Sequence, residues 1–179
     1  MIDIRNLILT ISIVLAFLSG CGTTYYYDDE YAGSQTRPPS RPERNAGCET
    51  YLPLVIEIAE RHRLDFALVA GVVETESRWK PRATSKVGAR GLMQIMPSTG
   101  RSIGCGDLYE PESNIECGVR LLDRLISRYK GRVDFALSAY AMGARTPDRA
   151  FKNGDPPPRQ SFIDAVMTRA NRFKSGGCG

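Results

Sequence analysis

Histidine and tryptophan are nearly absent from this chain: His62 and Trp79 are the only ones in 179 residues. One imidazole cannot furnish a multi-histidine metal centre, and none of the cysteine spacings has a zinc-binding form. Serine chemistry lacks a base as well, because Ser77, beside the acids considered below, lies on a different helix from His62. Neither a metal nor a cofactor is expected. The alternating apolar–polar runs that strands require are missing, and so are internal repeats. Charge of one sign is not in large excess. The formal net charge is +4, on scattered lysines and arginines without interleaved aromatics, which argues against a nucleic-acid surface and leaves a modest attraction to an anionic matrix. Long apolar runs are lacking too. Leu7–Leu18 is twelve residues, too short to cross a bilayer as a helix but suited to the apolar region of a signal peptide.

What is present is helical periodicity. Tyr51, Val55, Ile58, Ala59 and His62 share one face of a helix that Pro53 opens. An apolar segment, Phe66–Val73, follows Asp65 as N-cap. Ile115, Val119, Leu122, Leu125, Ile126 and Tyr129 form a long stripe after Asn114 as cap, closed by Gly131. Asp134 caps a short helix through Phe135, Leu137 and Ala139. Phe162, Ile163, Val166, Met167, Ala170 and Phe173 form a last helix beyond the Pro156–Pro158 stop. The expected fold is mainly α, with one domain at 48–179 that is large enough for a real core. Its four cysteines are an even set, as an oxidising compartment favours. Three pairings are open. We favour Cys105–Cys117, which closes a short loop, with Cys48–Cys178, which ties the two ends of the domain together.

The stretch Val73–Pro97, V-E-T-E-S-R-W-K-P-R-A-T-S-K-V-G-A-R-G-L-M-Q-I-M-P, carries the chemistry. If the Phe66 helix persists to Glu76, that carboxyl falls inside the apolar arc of Leu68, Val72, Val69 and Val73. Lost hydration then raises its pKa, as a general acid needs. Glu74 points roughly 200° away, toward Ala67, Ala70 and Gly71. Gly88 and Gly91 let backbone approach closely, and Gln94 sets one neutral amide among Leu92, Met93, Ile95 and Met96. On spacing alone, two core elements flanking an irregular loop read equally well.

Glu76-Ser77, Trp79, Pro81, Ser85, Gly88-Ala89 and G-L-M-Q-I-M-P at 91–97 closely resemble the soluble lytic transglycosylase family, which is related to goose-type lysozymes. The resemblance implies a lysozyme-like fold, with room for a small hairpin between Trp79 and Gly91. It also implies a bacterial enzyme that cuts peptidoglycan glycan strands between N-acetylmuramic acid and N-acetylglucosamine. Retaining and inverting glycosidases both use a second carboxylate, and no second acid within 73–97 is suitably placed. What the resemblance supplies is the substrate's own N-acetyl oxygen, with Glu76 acting first as acid and then as base while a 1,6-anhydro ring closes. Ser85, Gln94 and Met96 match positions that line the cleft; Ser77, Gly91 and Met93 match supporting positions. The family's A-Y-N-A-G motif corresponds to Ala139-Tyr140-Ala141-Met142-Gly143, so Tyr140 is expected near Glu76 or the bound sugar while no asparagine carboxamide is present. Trp79 suits packing under the loop as well as stacking on sugar. His62 reads as a partly exposed helical residue. Two rivals stand: a lysozyme-type muramidase that lets water finish the reaction, and a non-catalytic wall-binding or secretion-scaffold protein that kept the fold.

Leu18-Ser19-Gly20-Cys21 resembles a bacterial lipobox. This implies a signal peptide at 1–20 and a mature chain lipidated at Cys21, anchored to a membrane without a spanning helix. Gly22 follows the cysteine, which favours the outer membrane, facing the periplasm. Residues 21–47, with Tyr25-Tyr26-Tyr27, Asp28-Asp29-Glu30 and R-P-P-S-R-P, read as a disordered tether with a mean reach of roughly 30 Å; the tyrosines could instead be a partner-binding strip. A secretion or conjugation apparatus is a partner that would fit so small an enzyme.

Overall fold

The computed structural model describes residues 45–178. The expected signal peptide, the lipidated Cys21 and nearly all of the tether lie outside the described residues. Within them the chain forms seven helices and no strand, the mainly α, lysozyme-like fold expected.

Helix α1, Ala46–Arg61, starts earlier than read from the sequence. The Asn45 side chain accepts from the Cys48 amide at 3.2 Å and so caps the helix. Pro53 does not open this helix but sits inside it. Its ring faces solvent. The helix tolerates the lost hydrogen bond because the cap and the Cys48–Cys178 disulfide hold its first turns.

Helix α2, Phe66–Ser77, is capped by Asp65, whose carboxylate accepts from Ala67 N at 2.9 Å. Ala67 through Val73 are all buried, since α2 is wrapped by α1 and by α7, Gln160–Gly176. Gly71 permits the close approach to α7: a Cβ there would lie 2.7 Å from the Val166 carbonyl.

Two helices had no signal in the apolar pattern, α3 (Pro97–Ile103) and α6 (Arg145–Asn153). Between them run α4, Pro111–Arg128, and α5, Val133–Met142. Asn114 is not the cap of α4. Glu110 is, accepting from Ser113 N at 2.7 Å, with Pro111 in the first turn. Asp134 is likewise inside α5 and not its cap. Its carboxylate takes the Arg132 guanidinium and the Phe135 amide. Both misreadings place a cap-type residue a few positions too late, where a side chain with other partners occupies the first turn.

Phe151 meets both Tyr129 and Phe135 edge to face in a smaller core where α4, α5 and α6 meet. Asp148 fastens α6 there through Arg128 and the Tyr129 hydroxyl, 2.9 Å away. The disulfides are Cys48–Cys178, joining positions 130 apart in sequence, and Cys105–Cys117, joining positions 12 apart. The longer closure restricts the unfolded chain more.

The hairpin anticipated between Trp79 and Gly91 is not formed. Two isolated antiparallel bridges, Thr84↔Arg90 and Arg90↔Ile95, replace it. Positive φ at Gly88, Gly91 and Gln94 turns the backbone too often for a ladder to grow.

Candidate active site

Glu76 stands in the last turn of α2. The helix ends abruptly behind it, with Arg78 and Trp79 both left-handed at φ 51° and 63°. Such backbone is costly for residues with a Cβ. Burial anchors it: Trp79 is 2% exposed and meets Phe173 of α7 edge to face at 5.7 Å. Trp79 is therefore a packing residue and not a sugar platform. Ser77 is buried and donates back to the Val73 carbonyl at 3.1 Å, which likewise spends it on the helix end.

No described residue gives the Glu76 carboxylate a hydrogen bond or a close ion pair. Burial alone pushes its pKa from 4.5 to about 7, against a weaker pull downward from the Arg159 guanidinium. The carbonyl end of α2 acts in the same direction as burial. Arg159 was not singled out in the sequence. It has a left-handed backbone (φ 63°) just before α7, behind the Pro158 carbonyl, which accepts from the buried Ser138 hydroxyl at 2.6 Å.

The loop 90–95 is tied to the surroundings of Glu76 through Tyr140, which feels the Glu76 charge and bonds the loop. Arg90 and Ile95 exchange backbone hydrogen bonds at 3.0 Å and close it at its neck. At Gly91, φ is 77° and a Cβ would fall on the Leu108 carbonyl and the Asn114 amide, so only glycine fits. Asn114 is the pin. Its Oδ1 accepts from Met93 N at 2.7 Å, while Nδ2 donates to the Arg90 and Leu108 carbonyls at 2.9 and 2.8 Å. On the other side of the same residue, the Tyr140 hydroxyl donates to the Met93 carbonyl at 2.8 Å. Met93 is thus clamped through its backbone by α4 and α5, its side chain fully buried.

Tyr140 also lies within the electrostatic reach of Glu76. Burial first, and the Glu76 charge second, hold its phenol well above the ordinary range, so it stays a donor. Gln94 spends its amide nitrogen on the Ala83 and Gly91 carbonyls, at 3.2 and 2.9 Å. Ser85 closes its own turn by accepting from Ala89 N at 3.0 Å. Met96 is 38% exposed at the mouth of α3. His62 reaches Glu116 at 2.7 Å. Asn114 and Arg159 are the site residues that sequence reasoning missed. A buried polar residue opposite G-L-M-Q was the available signal for the first; for the second there was none.

A lone acid at a helix end, facing a glycine-bearing loop across an all-α frame, defines a lysozyme-like domain. Residues 53–163 match the model of the transglycosylase SLT domain, and the chain belongs to that family. It is 46% identical over 111 residues to a transglycosylase of Enterobacteria phage PRD1, covering 62% of this chain and 39% of that one. It is 33% identical over 133 residues to a membrane-bound lytic murein transglycosylase F of Desulfosudis oleivorans, covering 68% and 29%. The 70 kDa soluble lytic transglycosylase of Escherichia coli shares the fold, with a TM-score of 0.61 and 22% identity over 72% of this chain and 25% of that one. The chain spans well under half the length of these relatives.

Proposed function

We propose that this chain is a peptidoglycan lytic transglycosylase that cleaves the β-1,4 bond between N-acetylmuramic acid and N-acetylglucosamine. The observation that carries this reading is the lone, part-buried carboxyl of Glu76, whose pKa of about 7 suits a group that must both give and take a proton near neutrality. Protonated Glu76 donates to the glycosidic oxygen as the bond to muramic C1 breaks. The substrate's N-acetyl oxygen supports C1 in place of a second enzyme carboxylate. Glu76, now a carboxylate, removes the proton of the C6 hydroxyl, and O6 bonds to C1. The proton lost to the leaving sugar is regained, so the acid is restored and no water is consumed. Ser85, Met96 and the free carbonyl end of Gln94 line the cleft in this reading, with Tyr140, Ser77, Gly91 and Met93 holding its walls.

The names of the relatives, murein transglycosylases among them, support the same substrate. Lipid anchoring through Cys21 to the outer membrane, with a secretion or conjugation apparatus as partner, is the finer part of the proposal. It rests on the lipobox-like L-S-G-C and the tether.

Mass spectrometry of fragments released from purified peptidoglycan tests the chemistry. Transglycosylation leaves 1,6-anhydro ends, lighter by one water than hydrolysed ends. Reducing ends that carry the water would make the chain a muramidase. Binding without release would make it a wall-binding scaffold.

A further inference from the structure

The segment 104–110, between α3 and α4, has little structure of its own. Inside it the Asp107 carboxylate accepts from Tyr109 N at 2.9 Å, and the Asp107 carbonyl accepts from Glu110 N at 3.3 Å. What fixes it comes from outside. Cys105 is bonded through sulfur to Cys117, which lies three residues beyond Asn114 on α4, so both α4 side chains share one helix face. The Cys105 amide donates to the Gly100 carbonyl of α3 at 2.9 Å. Gly106 runs so near α4 that a Cβ there would lie 2.9 Å from the Ser113 hydroxyl.

In return the segment grips the chain at 83–95. Tyr109 meets both members of the Thr84↔Arg90 bridge. Its hydroxyl shares a hydrogen bond with the Thr84 hydroxyl at 2.9 Å, and the Arg90 guanidinium lies 5.4 Å from the centre of its ring. The Leu108 carbonyl, held by Asn114 Nδ2, lies against Gly91, where a side chain would collide with it. The stretch held in this way carries Ser85 and Gln94, for Ser85 N donates to the Ala89 carbonyl at 2.9 Å and Gln94 Nε2 to the Gly91 carbonyl at 2.9 Å. An exposed hydroxyl pair and an exposed cation over a ring add little to overall stability. They fall, however, on the bridged pair from which the turns bearing Ser85 and Gln94 spring.

We propose that the segment 104–110 is a buttress that positions Ser85 and Gln94 for the glycan, with Tyr109 as its positioning residue and the Cys105–Cys117 bond as the tie that keeps Tyr109 in register. The inference rests on the reading in which Ser85 and Gln94 line the cleft. A cleft wall ordered before the sugar arrives spares the cost of ordering it on binding. A loosened wall therefore weakens glycan binding, while Glu76, seated on α2, keeps its chemistry.

Amide exchange by NMR and steady-state kinetics of the full chain test this together. Tyr109→Ala and C105A/C117A should each speed exchange of the Arg90, Gly91 and Ile95 amides about fivefold, with the Val69–Val73 amides of α2 left at the parent's rate. On peptide-stripped glycan strands both should raise KM about fivefold with kcat within twofold of the parent. Tyr109→Phe, which keeps the ring beside Arg90, should fall between parent and Tyr109→Ala. Loss of fold alone has the opposite signature, because it shrinks the active fraction: kcat falls, KM holds, and α2 exchanges faster along with the rest. That pattern overturns the proposal, as do Arg90, Gly91 and Ile95 amides indifferent to Tyr109→Ala. A parent that releases no glycan fragments would remove the catalytic reading instead, and the exchange comparison would still decide whether the buttress holds the wall.

Discussion

The two flanks of α2 treat similar carboxylates differently. On the flank facing α7, Glu74 is 16% exposed and is met by the Arg172 guanidinium. On the flank toward Tyr140, Glu76 is also part buried but lacks a cation in contact, and only the longer-range pull of Arg159 reaches it. Burial with a partner makes a strut; burial without one makes a proton donor. The difference comes from what lies opposite. One side has a helix bearing Arg172. The other has Tyr140, its hydroxyl given to the Met93 carbonyl, and behind it a loop whose Gln94 amide nitrogen and backbone groups are already committed to protein partners.

Substitutions can break that contrast or sharpen it. The largest effect is expected from E76Q, which should lower release of soluble fragments from purified peptidoglycan by about a thousandfold, whereas E74Q should stay within tenfold of the parent. Asn114→Ala removes the pin of the loop and leaves the Met93 amide and the Leu108 carbonyl unsatisfied, while the Arg90 carbonyl keeps only its bond from Ile95. Urea denaturation should register about 3 kcal/mol of lost stability, with digestion falling in parallel.

E76Q should also be more stable than the parent at pH 8, by about 2–3 kcal/mol. The sign follows from proton uptake. The folded pKa of Glu76 is raised, to about 7 from 4.5, so between those values the folded chain binds the proton and the unfolded chain does not. Stability of the parent therefore falls as pH rises through that window and is level above it, while E76Q lacks this slope. Denaturation midpoints at pH 4, 6 and 8 check it. The smallest effect belongs to Arg159→Ala. Losing a cation that lowers the Glu76 pKa should move the alkaline limb of the pH profile of kcat/KM to higher pH.

Much of this was legible in the residues. The acid and the glycine at 91 follow from one short run of sequence, the tyrosine at 140 from the separate family-like motif at 139–143, and the apolar stripes of α2, α4 and α7 announce themselves by period. Asn114 was legible as a residue but not as a role. At a helix start, asparagine looks like a cap, and only the tertiary approach of loop 90–95 turns its amide inward. Pro53 misled in the same way, since a proline suits the first turn of a helix and an exposed interior site can also carry it. Arg159 had no signal at all: its position depends on three prolines and on Ser138, twenty residues before Pro158. The helices α3 and α6 are short and polar and are held by tertiary contacts such as Asp148 with Arg128, so periodicity could not reveal them.

The central claim concerns one carboxyl group deprived of water and of a contacting cation. A carbon-13 NMR titration of the glutamate side-chain carboxyls in the full chain, assigned by the signal missing from E76Q, reads it directly. The account predicts a midpoint of about 7 for Glu76. A midpoint at the ordinary glutamate value near 4.5 would contradict it.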